Sequence, residues 1–259
     1  MPISAEQEEQ IKNLLRDTLN KKLSKYKRES SYMPFLSTLI QDKEKVASYS
    51  FIHSIATSLG MSLYEMISVI LAKPISEVAK RNVKVEGTLS PAQKEAISKI
   101  VNELREGIRK VNQEKEIAEV LKADAKGGKN QKDNQIADFF MKRDNKEYYF
   151  EIKTVKPNID VFTKSKVKLL EWMARKQKPI KAILAFPYNP YHPEPYNRFT
   201  EQGVVEHGKE FLIAEEYWDF VGGKGTYEKL LKIFDEIGKE FKEKIKLKIE
   251  EVAKEKMDV

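Results

Sequence analysis

A chain of 259 residues, 41% hydrophobic and 34% charged, is expected to form a soluble domain with elaborations, and none of its apolar runs is long enough to span a bilayer. Cysteine is absent, which excludes disulfides, thiolate nucleophiles and cysteine-ligated zinc, and the three histidines lack the spacing of a metal site. The net charge of +7 is compatible with a polyanionic partner such as nucleic acid, and equally with an ordinary lysine-rich surface.

The first 85 residues are predicted to form a helical N-terminal region. Residues 1–10 lack the basic and apolar segments of a secretory signal, so we expect a cytoplasmic protein. Apolar residues recur at helical spacing over residues 5–26, and two more helices are predicted over residues 43–59 and 62–72. Residues 86–225 would then form the central domain.

A long helix is predicted next. Ser90 is a good N-cap and Pro91 suits the first helical position. The helix should run toward Leu121, with a break near Asn112. Residues 124–134 are polar and contain two consecutive glycines, so we expect a loop there.

A β-hairpin is predicted after this loop. Residues 136–141 and 148–152 are rich in aromatic and β-branched side chains, and Asp144-Asn145 between them suits a tight turn with left-handed backbone angles. The hairpin would supply two neighbouring strands of a central sheet.

The remaining chain alternates helix and strand. A basic helix is predicted over residues 163–175, a buried strand over 182–186, and an irregular loop over 187–197. Residues 226–259 should form a C-terminal helix. This order predicts an α/β (α+β) fold with a mixed central sheet flanked by helices.

The pattern of an acidic residue two places before a lysine occurs four times. Three copies lie in a loop, a turn or the last helix: Asp124 and Lys126, Asp144 and Lys146, and Glu240 and Lys242. The fourth, Glu151-Ile152-Lys153, ends a predicted strand. There the two-residue period places Glu151 and Lys153 on one face.

The turn also predicts which residue lies opposite Glu151. If Asp144-Asn145 is a two-residue loop, Asp138 faces Glu151 with β-carbons about 5 Å apart. Two carboxylates facing each other beside Lys153 are unfavourable unless a cation lies between them, and hard oxygen ligands favour Mg²⁺, with Mn²⁺ as a substitute. The alternative is an ordinary solvent-facing hairpin, but its apolar neighbours predict that these charges are partly buried.

Such a site suits phosphodiester hydrolysis. A divalent ion can polarise a phosphate, activate a bound water and stabilise the charge that develops during displacement. Lys153 could orient or deprotonate that water, or stabilise the transition state. Glu119, on the preceding helix, is either an additional metal ligand or an ordinary surface charge.

These residues carry a family resemblance. Asp138, twelve intervening residues and then Glu151-Ile152-Lys153 resembles the PD-(D/E)xK nuclease signature, with Ala137 in place of its proline. Longer segments resemble the TdeIII/MjaII-type type II restriction endonucleases: residues 136–140, 148–158, 164–175 and 218–227. The resemblance covers most of the chain from Pro91 onward.

The resemblance implies a restriction-endonuclease-like fold and a restriction-modification system. It also implies a homodimer that cuts double-stranded DNA at a short palindrome in the presence of Mg²⁺, with GGNCC-type sites expected. By position, Asp138 and Glu151 would be catalytic metal ligands, the Ile152 backbone carbonyl a further ligand, and Lys153 the catalytic lysine.

Basic residues after this motif are candidates for contacts with DNA phosphates. They are Lys156, Lys164, Lys166, Lys168 and Arg198. A solvated helix face explains the lysines equally well. Two other functions stay open: a repair or junction-resolving nuclease of the same superfamily, and a non-catalytic nucleic-acid-binding module.

Overall fold

The computed structural model describes residues 3–26, 34–153, 158–197 and 203–254. Its elements in chain order are α1 (Ala5–Lys25), α2 (Pro34–Ile40), α3 (Lys43–Ser58), α4 (Tyr64–Ala72), β1 (Val78–Lys84), α5 (Pro91–Arg105), α6 (Gln113–Lys122), β2 (Ile136–Arg143), β3 (Lys146–Ile152), α7 (Ile159–Lys176), β4 (Lys181–Phe186), β5 (Phe211–Ile213), α8 (Glu215–Gly222) and α9 (Thr226–Lys254). Among these residues, no helix combines the length and apolar character that a membrane span requires.

The chain divides into two units, residues 1–64 with 228–259 and residues 65–227. This division places α1 to α3 and most of α9 in one unit and nearly all of α4 in the other, whereas the sequence suggested separate regions at 1–85 and 226–259. Within that unit, Lys12 pairs with Glu236 at 2.5 Å, and Arg16 pairs with Glu240 at 3.0 Å. Ion pairs thus join α1 to α9.

The second unit contains a five-stranded sheet in the order β1-β2-β3-β4-β5. The first three strands are antiparallel, and β3, β4 and β5 are parallel. The mixed sheet confirms the predicted fold class.

Strand β1 was missed by the sequence analysis, which predicted a wholly helical region to residue 85. Its sequence, Val-Ala-Lys-Arg-Asn-Val-Lys, has too few apolar residues for a clear strand pattern. The segment is instead held by pairing with β2, from Val78 opposite Lys142 to Lys84 opposite Ile136. Charged side chains are common on such an edge strand because they discourage pairing with other chains.

The predicted hairpin and its register are confirmed. Asp144 and Asn145 have φ angles of 52° and 59°, as a two-residue turn of mirror-image type requires. Arg143 pairs with Lys146, and Phe139 pairs with Phe150. One step further along this register, Asp138 comes opposite Glu151.

Strand β3 is buried on both faces. On one face the ring of Tyr149 lies 6.2 Å from that of Trp172 in α7. On the other face the ring of Phe150 lies 5.8 Å from that of Tyr217 in α8. The two helices therefore cover opposite faces, and Glu151, which alternates with Phe150, lies on the α7 side.

The long helix predicted from Ser90 is two helices, with the break where it was expected. Ser90 and Gln93 form a capping box at the start of α5. Asn112 caps α6 by accepting a hydrogen bond from the Lys115 amide. Apolar side chains of both helices share a buried cluster with Leu170 of α7, which fixes α7 against them.

Candidate active site

Asp138 lies half-buried on β2, beside the end of β3. Its Oδ2 atom accepts a 2.7 Å hydrogen bond from the backbone N–H of Ile152. Burial and the nearby charge of Glu151 raise the pKa of Asp138 from its ordinary value of 3.8 to about 6. The Ile152 hydrogen bond and the charges of Lys168 and Lys153 oppose this increase without cancelling it.

Glu151 is the most enclosed carboxylate of the site, with 5% of its side chain exposed. Each of its oxygens contacts a different ammonium group: Lys153 contacts Oε1 and Lys168 contacts Oε2. A buried carboxylate is costly unless it is paired, and here both oxygens are. The two lysines therefore compensate the charge that β3 places in the interior.

The two lysines come from different elements and differ in exposure. Lys153 directly follows β3, where its backbone N–H donates a 3.0 Å hydrogen bond to the Ala185 carbonyl of β4. Its side chain is 36% exposed. Lys168 comes from α7, is 16% exposed, and has its Nζ 5.3 Å from the centre of the Trp172 ring. Lys153 is thus the more accessible of the two.

This arrangement suits a divalent cation. Burial and then repulsion from Glu151 raise the pKa of Asp138, and a cation between the carboxylates would favour their ionised forms. Within the described residues, no group of three or more acidic, histidine or cysteine side chains could hold a metal ion. Two carboxylates and a backbone carbonyl nevertheless fit Mg²⁺, which commonly takes one or two carboxylates and completes its shell with water and phosphate oxygens.

Glu119, the additional ligand considered from the sequence, makes different contacts. Both of its oxygens accept hydrogen bonds from the Arg109 guanidinium, at 2.8 and 3.2 Å. The pair ties α6 to the segment that follows α5. This ion pair supports the surface-charge interpretation of Glu119.

The predicted DNA contacts lie in different surroundings. Lys156 and Arg198 lie outside the described residues. Lys164 is exposed on α7, so a phosphate contact there stays a prediction. Lys168 contacts Glu151, a role that the sequence analysis did not assign to it.

Lys166 requires a correction. Its side chain is 0% exposed and pairs with Glu116, at 2.5 Å, and with Glu210. A lysine buried between two carboxylates cannot contact a DNA phosphate from this position. The sequence prediction was wrong because α7 is covered on this side by α6 and by the residues that precede β5.

The contact of Lys168 with Glu151 had one partial signal in the sequence. Lys168 immediately precedes Leu169 and lies four residues before Trp172, both of which are buried. A lysine beside the apolar stripe of a helix is a candidate for an internal partner. The sequence did not indicate which carboxylate that partner would be.

Comparison with known proteins identifies the family. Residues 3–238 match the family model described as "Type II restriction endonuclease, HinfI". The chain is 34% identical over 211 residues to the type II restriction enzyme MjaII of Methanocaldococcus jannaschii, an alignment that covers 74% of this chain and 55% of that enzyme. It is 28% identical over 255 residues to the type II restriction enzyme HgiEI of Herpetosiphon aurantiacus, covering 88% of this chain and 92% of that enzyme.

The chain thus spans about half the length of the MjaII enzyme and nearly all of the HgiEI enzyme. No solved structure matches it significantly. The family match includes every residue of the candidate site, from Asp138 to Lys168, and confirms the resemblance found in the sequence. This chain belongs to the HinfI family of type II restriction endonucleases.

Proposed function

We propose that this protein is a type II restriction endonuclease that hydrolyses double-stranded DNA at a short palindromic site in the presence of Mg²⁺. One observation carries the proposal most directly. The hairpin register brings Asp138 and Glu151 together, with Lys153 beside them, at one end of the sheet. Family membership makes DNA the expected substrate.

Asp138, Glu151 and the Ile152 backbone carbonyl would hold the metal ion. When bound, Mg²⁺ supplies positive charge to a phosphate oxygen and to an attacking water. The Ile152 N–H keeps one oxygen of Asp138 oriented, so the other is available as a ligand. The two lysines hold Glu151 in position, and a metal ion would have to displace at least one of them from its oxygens.

Lys153 would act on the reacting groups. Its partial exposure lets the ammonium group leave Glu151 and reach a phosphate at the protein surface. There it can orient the water and stabilise the negative charge that develops on the phosphate. The reaction breaks one phosphorus–oxygen bond of the backbone and adds the elements of water across it. One new end keeps the phosphate and the other gains a hydroxyl group.

The site preference and assembly follow from the resemblance. A GGNCC-type sequence is the proposed target, and a homodimer is the proposed form, since a two-fold protein matches a two-fold DNA site. Lys164 is the described candidate for a phosphate contact, joined by Lys156 and Arg198. Sedimentation of the protein with a duplex carrying one site would test the assembly, because a monomer on DNA contradicts it.

Digestion of unmethylated phage DNA tests the activity itself. The protein is incubated with Mg²⁺ or with EDTA over a range of temperatures, and the ends of any fragments are sequenced. Discrete fragments that require Mg²⁺ and disappear with Asp138→Asn are expected. Cleavage restricted to branched DNA would indicate a repair nuclease, and binding without any cleavage would indicate a non-catalytic module.

A further inference from the structure

Glu151 has a second lysine partner that the Glu151-Ile152-Lys153 motif does not include. The ammonium group of Lys168 contacts Oε2 of Glu151, while Lys153 contacts Oε1. Lys168 lies seventeen residues after Glu151 on a different element, so helix packing and not the strand motif places it there. Its contact is with the carboxylate that the proposed metal would share.

The two lysines are not equivalent. Lys168 is less exposed than Lys153, at 16% against 36% of the side chain. Its ammonium group also lies over the Trp172 ring, where a cation–π contact adds a second attraction. Lys168 is therefore the more firmly held of the two, and Lys153 is the one free to turn toward a substrate.

The net charge of the site determines how the contact between Lys168 and Glu151 affects metal binding. Asp138 and Glu151 contribute two negative charges, and Lys153 and Lys168 contribute two positive charges, so the four ionised side chains sum to zero. A divalent cation must approach a neutral cluster and compete with the two ammonium groups for the oxygens of Glu151. Removing one ammonium group leaves a net charge of −1 and a free oxygen, and both changes favour the cation.

We propose that Lys168 is a positioning residue, the resident counter-ion of Glu151, which holds this carboxylate in place before a metal arrives and limits the affinity of the site for divalent cations. The inference rests on the proposed function because it takes Asp138 and Glu151 to be the metal ligands. It differs from the sequence prediction for Lys168, which was a contact with a DNA phosphate. That contact would affect DNA binding and leave metal affinity unchanged.

Titration of the 259-residue protein with Mn²⁺ at pH 8 without DNA distinguishes a counter-ion of Glu151 from a DNA contact. Electron paramagnetic resonance reports the concentration of free Mn²⁺. Lys168→Met keeps the length and apolar stem of the side chain but removes its charge. We expect it to bind Mn²⁺ about fivefold more tightly than the unaltered protein. Lys168→Arg keeps the charge and should stay within about twofold.

Lys176→Met is the matched control. Lys176 lies on the same helix, and its ammonium group is 5.5 Å from the centre of the Tyr149 ring, but no contact with Glu151 accompanies it. Its Mn²⁺ affinity should be unchanged. Unchanged or weaker binding by a folded Lys168→Met protein overturns the inference. If circular dichroism shows that Lys168→Met does not fold, the Mn²⁺ affinity of Lys168→Gln is measured instead. Unchanged or weaker binding by that variant overturns the inference in the same way.

Asp138→Asn separates failure of this inference from failure of the proposed function. If Asp138→Asn weakens Mn²⁺ binding but Lys168→Met does not strengthen it, only the role of Lys168 is wrong. If Asp138→Asn leaves Mn²⁺ binding unchanged, the metal site itself is wrong, and both proposals fail together.

Discussion

The backbone N–H of Ile152 donates a 2.7 Å hydrogen bond to the carboxylate of Asp138, and so connects the two strands at the point where the candidate site begins. Burial and the charge of Glu151 both disfavour the ionised form of Asp138 and raise its pKa. Ionised Asp138 therefore lowers the stability of the metal-free protein, and this loss can be measured.

Asp138→Asn should stabilise the metal-free protein at high pH. The pKa of Asp138 rises from 3.8 to about 6 on folding, so the folded state binds this proton more tightly than the unfolded chain. The stabilising contribution of the protonated form is fully present below 3.8 and is lost as pH rises through about 6. Asparagine stays neutral and can keep the hydrogen bond from Ile152.

We expect Asp138→Asn to raise the free energy of unfolding by about 1–3 kcal/mol at pH 8 and by much less at pH 4. Urea unfolding in EDTA at the two pH values measures this difference. Asp144→Asn, in the exposed hairpin turn, is the control and should show little change at either pH. A loss of stability at pH 8 would show that Asp138 is not held in an unfavourable charged state.

Lys153→Met should separate cleavage from binding. If Lys153 stabilises charge in the transition state, its loss should lower the rate of DNA cleavage by at least about 100-fold. Affinity for DNA with Ca²⁺ in place of Mg²⁺ should change only a few-fold, because one phosphate contact is a small part of a DNA interface.

Lys146→Met is the internal comparison for this experiment. Lys146 ends the Asp144-Asn145-Lys146 copy of the same acidic-x-lysine pattern, but that copy forms the exposed turn at the opposite end of β3. Its cleavage rate should stay within about threefold of the unaltered protein. Equal losses of cleavage rate in Lys153→Met and Lys146→Met would contradict a specific role for Lys153 at the end of β3.

The parts of the fold that the sequence predicted are those fixed by local interactions. Asp144-Asn145 specifies a turn by backbone preference alone, and that turn sets the register that aligns Asp138 with Glu151. The Ser90 cap likewise marked where α5 begins, and the predicted break near Asn112 lies at the start of α6. For these elements, the residues adjacent in the sequence are enough to predict the structure.

The parts that the sequence missed depend on distant partners. Strand β1 exists because β2, more than fifty residues later, pairs with it. The assignments of Lys166 and Lys168 depended on which surfaces cover α7, since a lysine is ordinarily exposed unless carboxylates from other elements meet it. A single sequence contains no direct record of such contacts.

Asn145→Val should weaken the hairpin. Asn145 has a φ of 59°, a left-handed conformation that a β-branched side chain tolerates poorly. We expect a loss of about 1–2 kcal/mol in the free energy of unfolding, whereas Asn145→Gly should preserve or slightly increase stability because glycine suits this turn position. Urea unfolding of the two variants provides the comparison. Equal stability for valine and glycine would contradict the turn conformation that sets the register.

Lys166→Met tests whether Lys166 is an internal ion pair or a DNA contact. The substitution fills similar space but leaves Glu116 and Glu210 buried beside each other without their shared cation. Removing one partner of a buried ion pair typically costs about 3–5 kcal/mol, and we expect a destabilisation of that size at pH 7.5. Lys164→Met, at an exposed position on the same helix, should change stability by no more than about 0.5 kcal/mol.

The destabilisation by Lys166→Met should also depend on pH. Burial already raises the pKa of Glu210, and removal of Lys166 takes away the charge and hydrogen bond that oppose this rise. Protonation of Glu210 at lower pH then relieves its repulsion with Glu116, so the loss of stability should be smaller at pH 5 than at pH 7.5. Urea unfolding at both values measures the difference. If Lys166→Met keeps full stability and only weakens DNA binding, Lys166 lies on the protein surface. That result would refute its burial between α6 and the start of β5.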